Sequence, residues 1–145
     1  MIISPVLRKK EVIYSDLRKD FLLSPINSDV SRYTDEDSIK ESIRNILLTN
    51  PGERLFDPTF GTPIRRMLFE NILYPETQSL LEDMISTSLK NYEPRCDLIS
   101  TSVKLGGNPS TDPEESQNSV NITITFSVIN IQTPITLNVT LSRVR

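Results

Sequence analysis

Glu53, Asp57 and Glu70 come nearest to catalytic equipment in this 145-residue chain. A pair of such acids could serve a glycosidase, which sets its two carboxyls about 5 to 9.5 Å apart to protonate the leaving oxygen and attack the sugar or activate water. Each acid also has a plainer role: Asp57-Pro58 starts a turn, and Glu53 and Glu70 are surface charges. A sugar cleft also calls for exposed aromatics, and the chain has no tryptophan. The absence of histidine removes the commonest general base and metal ligand, and none of the four glycines forms a phosphate-cradling pattern. Cys96 is the single cysteine, without imidazole, zinc companions or a second thiol, so it reads as a structural thiol. The expectation is a non-catalytic module without metal or cofactor, and a peptidoglycan-cleaving glycosidase is the rival.

Glu93-Pro94-Arg95 offers a different chemistry. Proline disfavours helical geometry at the residue before it, so Glu93 should end a helix and Arg95 should lead into a strand. In an extended segment, positions 93 and 95 project to the same side. The bland reading is a helix stop with a local ion pair, worth about 0 to 1 kcal/mol if exposed. The functional reading is that the rigid Arg95 fork and Glu93 engage another chain.

The elements that would position these residues fall into two halves. Residues 1–33 carry scattered apolar positions without a sustained period and read as an extended arm with at most one helical turn. Residues 34–145 read as a single domain. Thr34-Asp35-Glu36-Asp37 supplies a hydroxyl cap and first-turn acids, and Ile39, Ile43, Ile46 and Leu47 follow on one helical stripe until Asn50-Pro51-Gly52 stops it. Glu53 to Gly61 is a structured loop with Phe56 and Phe60 as aromatic anchors. Thr62 and Pro63 read as the cap and first position of a short helix burying Ile64, Met67 and Leu68. A longer helix restarts at Tyr74-Pro75-Glu76, with Leu80, Leu81, Met84, Ile85 and Leu89 as its apolar stripe ending near Tyr92.

Beyond the junction the period becomes two. Ile99, Thr101, Val103 and Leu105, then Val120 to Val128, then Ile135, Leu137, Val139 and Leu141 alternate with polar neighbours as three half-buried strands. Gly106 to Ser119 is a long polar hairpin loop, and Asn130 to Pro134 is the second connection. The fold class is α+β: helices packed on one face of a three-stranded antiparallel sheet whose other face is solvated. A net charge of −3 leaves no footprint for nucleic acid or an anionic membrane. No apolar run approaches the roughly 20 residues of a membrane span, and the N-terminus lacks the order of a signal peptide, so synthesis and residence in the cytosol are expected. The sequons at Asn121 and Asn138 lie in expected strands and read as chance.

Three segments carry a family resemblance: Ser42 to Gly61 with its Asn50-Pro51-Gly52-Glu53-Arg54-Leu55-Phe56-Asp57-Pro58 core, then Leu68-Phe69-Glu70, then Asn91-Tyr92-Glu93-Pro94-Arg95. Together they resemble the baseplate wedge and sheath-initiator family of contractile phage tails, which includes the type VI secretion baseplate subunit. The resemblance runs from about Tyr14 to the C-terminus and is weaker over residues 106–119. It implies a structural subunit of the virion tail baseplate, assembled in the host cytoplasm. It also implies that Glu93, Pro94 and Arg95 contact the core bundle of the larger wedge subunits. The sheet resembles the inner domain of sheath proteins, so its last strand, with Ile135, Leu137, Val139 and Leu141, is expected to meet the tail sheath protein. Central hub or tube proteins are further expected partners. Some members carry a lysozyme label.

Overall fold

Apolar residues at every second position of a strand need a common cover, and here three such strands share it. The computed structural model describes residues 13–25, 28–67, 75–105, 119–129 and 131–142. The chain divides into two compact units, residues 1–38 and 39–145.

In the first unit, β1 (Ser15–Leu17) pairs antiparallel with β2 (Arg32–Thr34), and an isolated bridge joins Leu23 to Val30. Within the stretch expected as an arm, these described residues fold back on one another. Asp35 fixes the return: at a φ of 47° it donates its N–H to the Tyr14 carbonyl at 2.8 Å. Its carboxylate accepts the amides of Ile13 and Tyr14 at 2.9 and 3.3 Å. Aspartate tolerates this left-handed backbone because its short side chain bonds locally. Thr34, expected as a helix cap, instead closes β2.

α1 (Glu36–Leu48) brings Ile39, Ile43, Ile46 and Leu47 into the core of the second unit, as their spacing predicts. Its end is tied down by Thr62, whose hydroxyl bonds the Leu47 carbonyl at 3.0 Å and whose N–H bonds that of Thr49 at 3.0 Å. These bonds satisfy carbonyls that a helix end leaves without partners. Thr62, expected to cap the next helix, therefore serves the previous one. α2 (Ile64–Met67) buries Ile64 and Met67; Leu68 and Glu70 lie outside the described residues. α3 (Pro75–Tyr92) buries Leu81, Ile85 and Leu89 and half-buries Met84. Leu80, expected on that stripe, is exposed because it lies about 100° around the helix from Leu81.

β3 (Cys96–Leu105), β4 (Ser119–Val128) and β5 (Ile131–Ser142) form an antiparallel sheet in that order. The register sets Val103, Ile122 and Val139 abreast, and likewise Thr101, Ile124 and Leu137. Val120, Ile122, Ile124, Phe126 and Val128 are all buried. Ile99 departs from the expected alternation and is 58% exposed. Pairing jumps from Leu98↔Phe126 to Ser100↔Thr125, so β3 carries one extra residue, and this bulge turns Ile99 outward while Thr101 and Val103 stay in register with the core strand. β5 also begins earlier than expected, at Ile131, with a register irregularity before Pro134.

Candidate docking site at the helix–strand junction

Glu93 makes the last helical bond of α3, its N–H reaching the Leu89 carbonyl at 2.9 Å, and Pro94 prevents another turn. The turn that follows brings the side chains of residues 93 and 95 together. Arg95 Nε donates to Glu93 Oε1 at 2.6 Å and Nη2 to Oε2 at 2.7 Å, a two-pronged pairing of guanidinium and carboxylate. Glu93 is 1% exposed, whereas the Arg95 side chain keeps 32% of its surface. An unpaired carboxylate at this depth would cost several kcal/mol. Burial pulls the Glu93 carboxyl up, but hydrogen bonds from Arg95 and from Ser42 of α1 outweigh it and hold the group below its ordinary range. The Arg95 carbonyl accepts the Ile129 amide at 3.3 Å, tying the junction to the turn after β4.

These placements alter the expected division of labour. Glu93 and Arg95 do point together, but Glu93 is consumed inside the unit and only Arg95 reaches the surface, beside the exposed Pro94. Ile135, Leu137, Val139 and Leu141 are buried in the core, so β5 has no apolar side chain from this set to offer a partner. Cys96, beside Glu93, has its thiol pushed up to about 11 by burial and by the charges of Glu93 and Asp97, which keeps it protonated and inert at neutral pH.

Of the three acids a glycosidase could use, the two that lie among the described residues are each engaged within the loop. Glu53 turns back to accept the Asn50 amide and side-chain N–H, both at 2.9 Å, and these bonds hold its carboxyl below the ordinary range. The general acid of a glycosidase needs the opposite shift, so Glu53 does not suit that role. Asp57 accepts the Thr59 hydroxyl at 2.8 Å, and Glu70 lies outside the described residues. Of the two expected aromatic anchors, Phe60 packs on Tyr92 with ring centroids 4.9 Å apart, whereas Phe56 is bare. Among the described residues, no group of three or more histidines, cysteines or acids could hold a metal ion, and no helix is long and apolar enough to cross a membrane.

One contact had no signal in the sequence. Glu82 of α3 accepts the backbone N–H of Val103 at 2.9 Å. A helix glutamate reads as surface charge until the strand beside it has a register.

The fold is of an α+β kind also seen in chains of contractile-tail baseplates. It is similar to a chain in the baseplate of the anti-feeding prophage, with a TM-score of 0.64 and 23% identity over 82% of this chain and 88% of that one. It is similar also to a Geobacter sulfurreducens protein named as a tail lysozyme, with a TM-score of 0.63 and 30% identity over 76% and 92% of the two chains. Residues 34–133 match the family described as baseplate wedge protein gp25. The baseplate wedge protein gp25 of Enterobacteria phage T4 is 40% identical over 91 residues, which is 63% of this chain and 67% of that protein. The chain belongs to the baseplate wedge protein gp25 family, and its place is the tail baseplate.

Proposed function

We propose that this wedge protein docks on larger wedge subunits through Arg95 at the α3–β3 junction and presents the β5 edge to the tail sheath protein as the template for the first sheath ring. The observation that carries this reading is the difference between the two edges of the sheet. At the β3 edge, the Val103 N–H points away from β4 and is taken by Glu82. Val103 and Ile122 are therefore a pair that exchanges no backbone bonds, and Ile122 directs its own N–H and carbonyl toward Val139. Alternation then sends the backbone groups of Thr136, Asn138 and Thr140 outward from β5, in position to receive a strand from another chain. Their side chains are exposed and polar, which keeps the edge soluble until it is paired.

In this reading Glu93 positions Arg95, and central hub or tube proteins are neighbours of the assembled subunit. The module is read as non-catalytic because Glu53 and Asp57 spend their carboxylates on bonds within the loop, and purified protein should leave peptidoglycan intact. The test of docking is co-purification with the larger wedge subunits: Arg95→Ala should weaken it, and unchanged recovery would sink the role of the junction. The test of templating is sheath growth on baseplates carrying Asn138→Pro, which removes an outward N–H while sparing the internal ladder.

A further inference from the structure

Leu55 and Phe56 sit side by side in the loop after α1, 92% and 101% exposed. Single exposed apolar residues are ordinary, but these two are held out by a loop with little freedom to fold them away. Gly52 N–H bonds the Pro58 carbonyl at 2.8 Å, Phe60 N–H that of Asp57 at 3.2 Å, and Asn50 is clasped by Glu53. At its far end Gly61 has a φ of 105° and lies so close to α1 that an added Cβ would stand 2.2 Å from the Thr49 carbonyl oxygen. Ser88 of α3 donates to the Gly61 carbonyl at 3.1 Å, and the Tyr92 hydroxyl reaches Thr59 at 3.2 Å. Ordering of this loop is therefore complete before any partner arrives, which lowers the entropic cost of using it.

The Glu53 and Asp57 carboxylates bond within the loop, whereas Arg54, next to the pair, lies 3.5 Å over the Phe60 ring and the exposed Arg65 is near enough to act on Glu53. We propose that Leu55 and Phe56 are a preformed knob that inserts into an apolar pocket rimmed by carboxylates on another protein subunit of the baseplate. The inference rests on the chain being an assembly subunit, but it assigns a contact separate from Arg95 and β5. A membrane is the poorer occupant, because two side chains worth about 1.5 to 3 kcal/mol each give marginal insertion and the chain carries net −3.

The test places photoreactive benzoylphenylalanine at position 56 of the full chain, co-expressed with the larger wedge subunits, and maps cross-links by mass spectrometry. The expected product joins position 56 to an apolar segment of another subunit flanked by aspartate or glutamate. The double variant Leu55→Ser, Phe56→Ser should weaken binding to those subunits at least about tenfold, equivalent to about 1.4 kcal/mol, with the melting temperature unchanged. Arg65→Glu should weaken it less and in a salt-dependent manner. Cross-links only within the chain or to a second copy, capture by anionic phospholipid vesicles, or binding within twofold of the parent would each overturn the inference. If the double variant binds normally while Arg95→Ala loses wedge binding and Asn138→Pro loses sheath growth, this inference alone falls; if none of the variants alters wedge binding or sheath growth, the proposed function falls with it.

Discussion

The two edges of the sheet use the same kind of backbone group in opposite ways. On the β3 side, α3 lies against the strand, Glu82 takes up the outward Val103 N–H, and the strand's first residues are anchored by the buried Glu93 and its arginine. On the β5 side, Thr136, Asn138 and Thr140 turn their backbone groups away from β4, and β5 is the last strand of the sheet among the described residues. Among the described residues an acceptor meets the outward amide of Val103 and none meets those of Thr136, Asn138 and Thr140, the asymmetry on which the proposed one-sided strand addition rests.

The largest expected effect separates inward from outward positions of β5. Val139→Pro removes a ladder bond and a buried side chain, and should cost about 3 kcal/mol or more in chemical denaturation. Asn138→Pro, one residue away, should cost under about 1 kcal/mol, because the N–H it deletes has no partner among the described residues. Equal losses would mean that the alternation has been assigned to the wrong residues.

Next comes the junction that anchors the closed side. Arg95→Ala leaves Glu93 as a buried, uncompensated carboxylate and should cost about 3 kcal/mol, with Arg95→Lys recovering part of it. Because the Glu93 carboxyl is held below its ordinary value, its contribution is complete above the unfolded pKa and is lost as pH falls through the folded one. Arg95→Ala removes the strongest bonds opposing burial, so the variant should lose less stability on acidification than the parent when unfolding is followed between neutral pH and pH 3.

Glu82→Ala should have a smaller effect on stability, about 1 to 2 kcal/mol, since it strips one charged acceptor from a single amide. Its sharper consequence is a second open edge, visible as concentration-dependent self-association in sedimentation. Smallest of all, Phe56→Ser should move stability by less than about 0.5 kcal/mol, because the ring touches no core residue in the free chain.

The sequence made the broad architecture readable because its periods are strong. Ile39, Ile43, Ile46 and Leu47 mark one face of α1 without ambiguity, and Val120 to Val128 alternate without a break. Pro94 marked the junction correctly for the same local reason. What stayed hidden depends on pairing between distant segments. The bulge at Ile99 is invisible until β3 is laid against β4, and an extra residue there reverses the faces on either side of it. The burial of Glu93 was equally illegible, since a glutamate beside a proline reads as surface until Ser42 of α1 and the Arg95 fork enclose it. The Leu55-Phe56 pair was half seen: the loop was legible from its Asn-Pro-Gly and Asp-Pro turns, but only the fold shows that Phe60 is held inside and Phe56 is left out.

The most direct measurement is sheath growth, followed by electron microscopy, on baseplates assembled with Asn138→Pro. This variant should join the wedge subunits as the parent does and start no sheath. Sheath of normal length on those baseplates would contradict the claim that the β5 edge is the template.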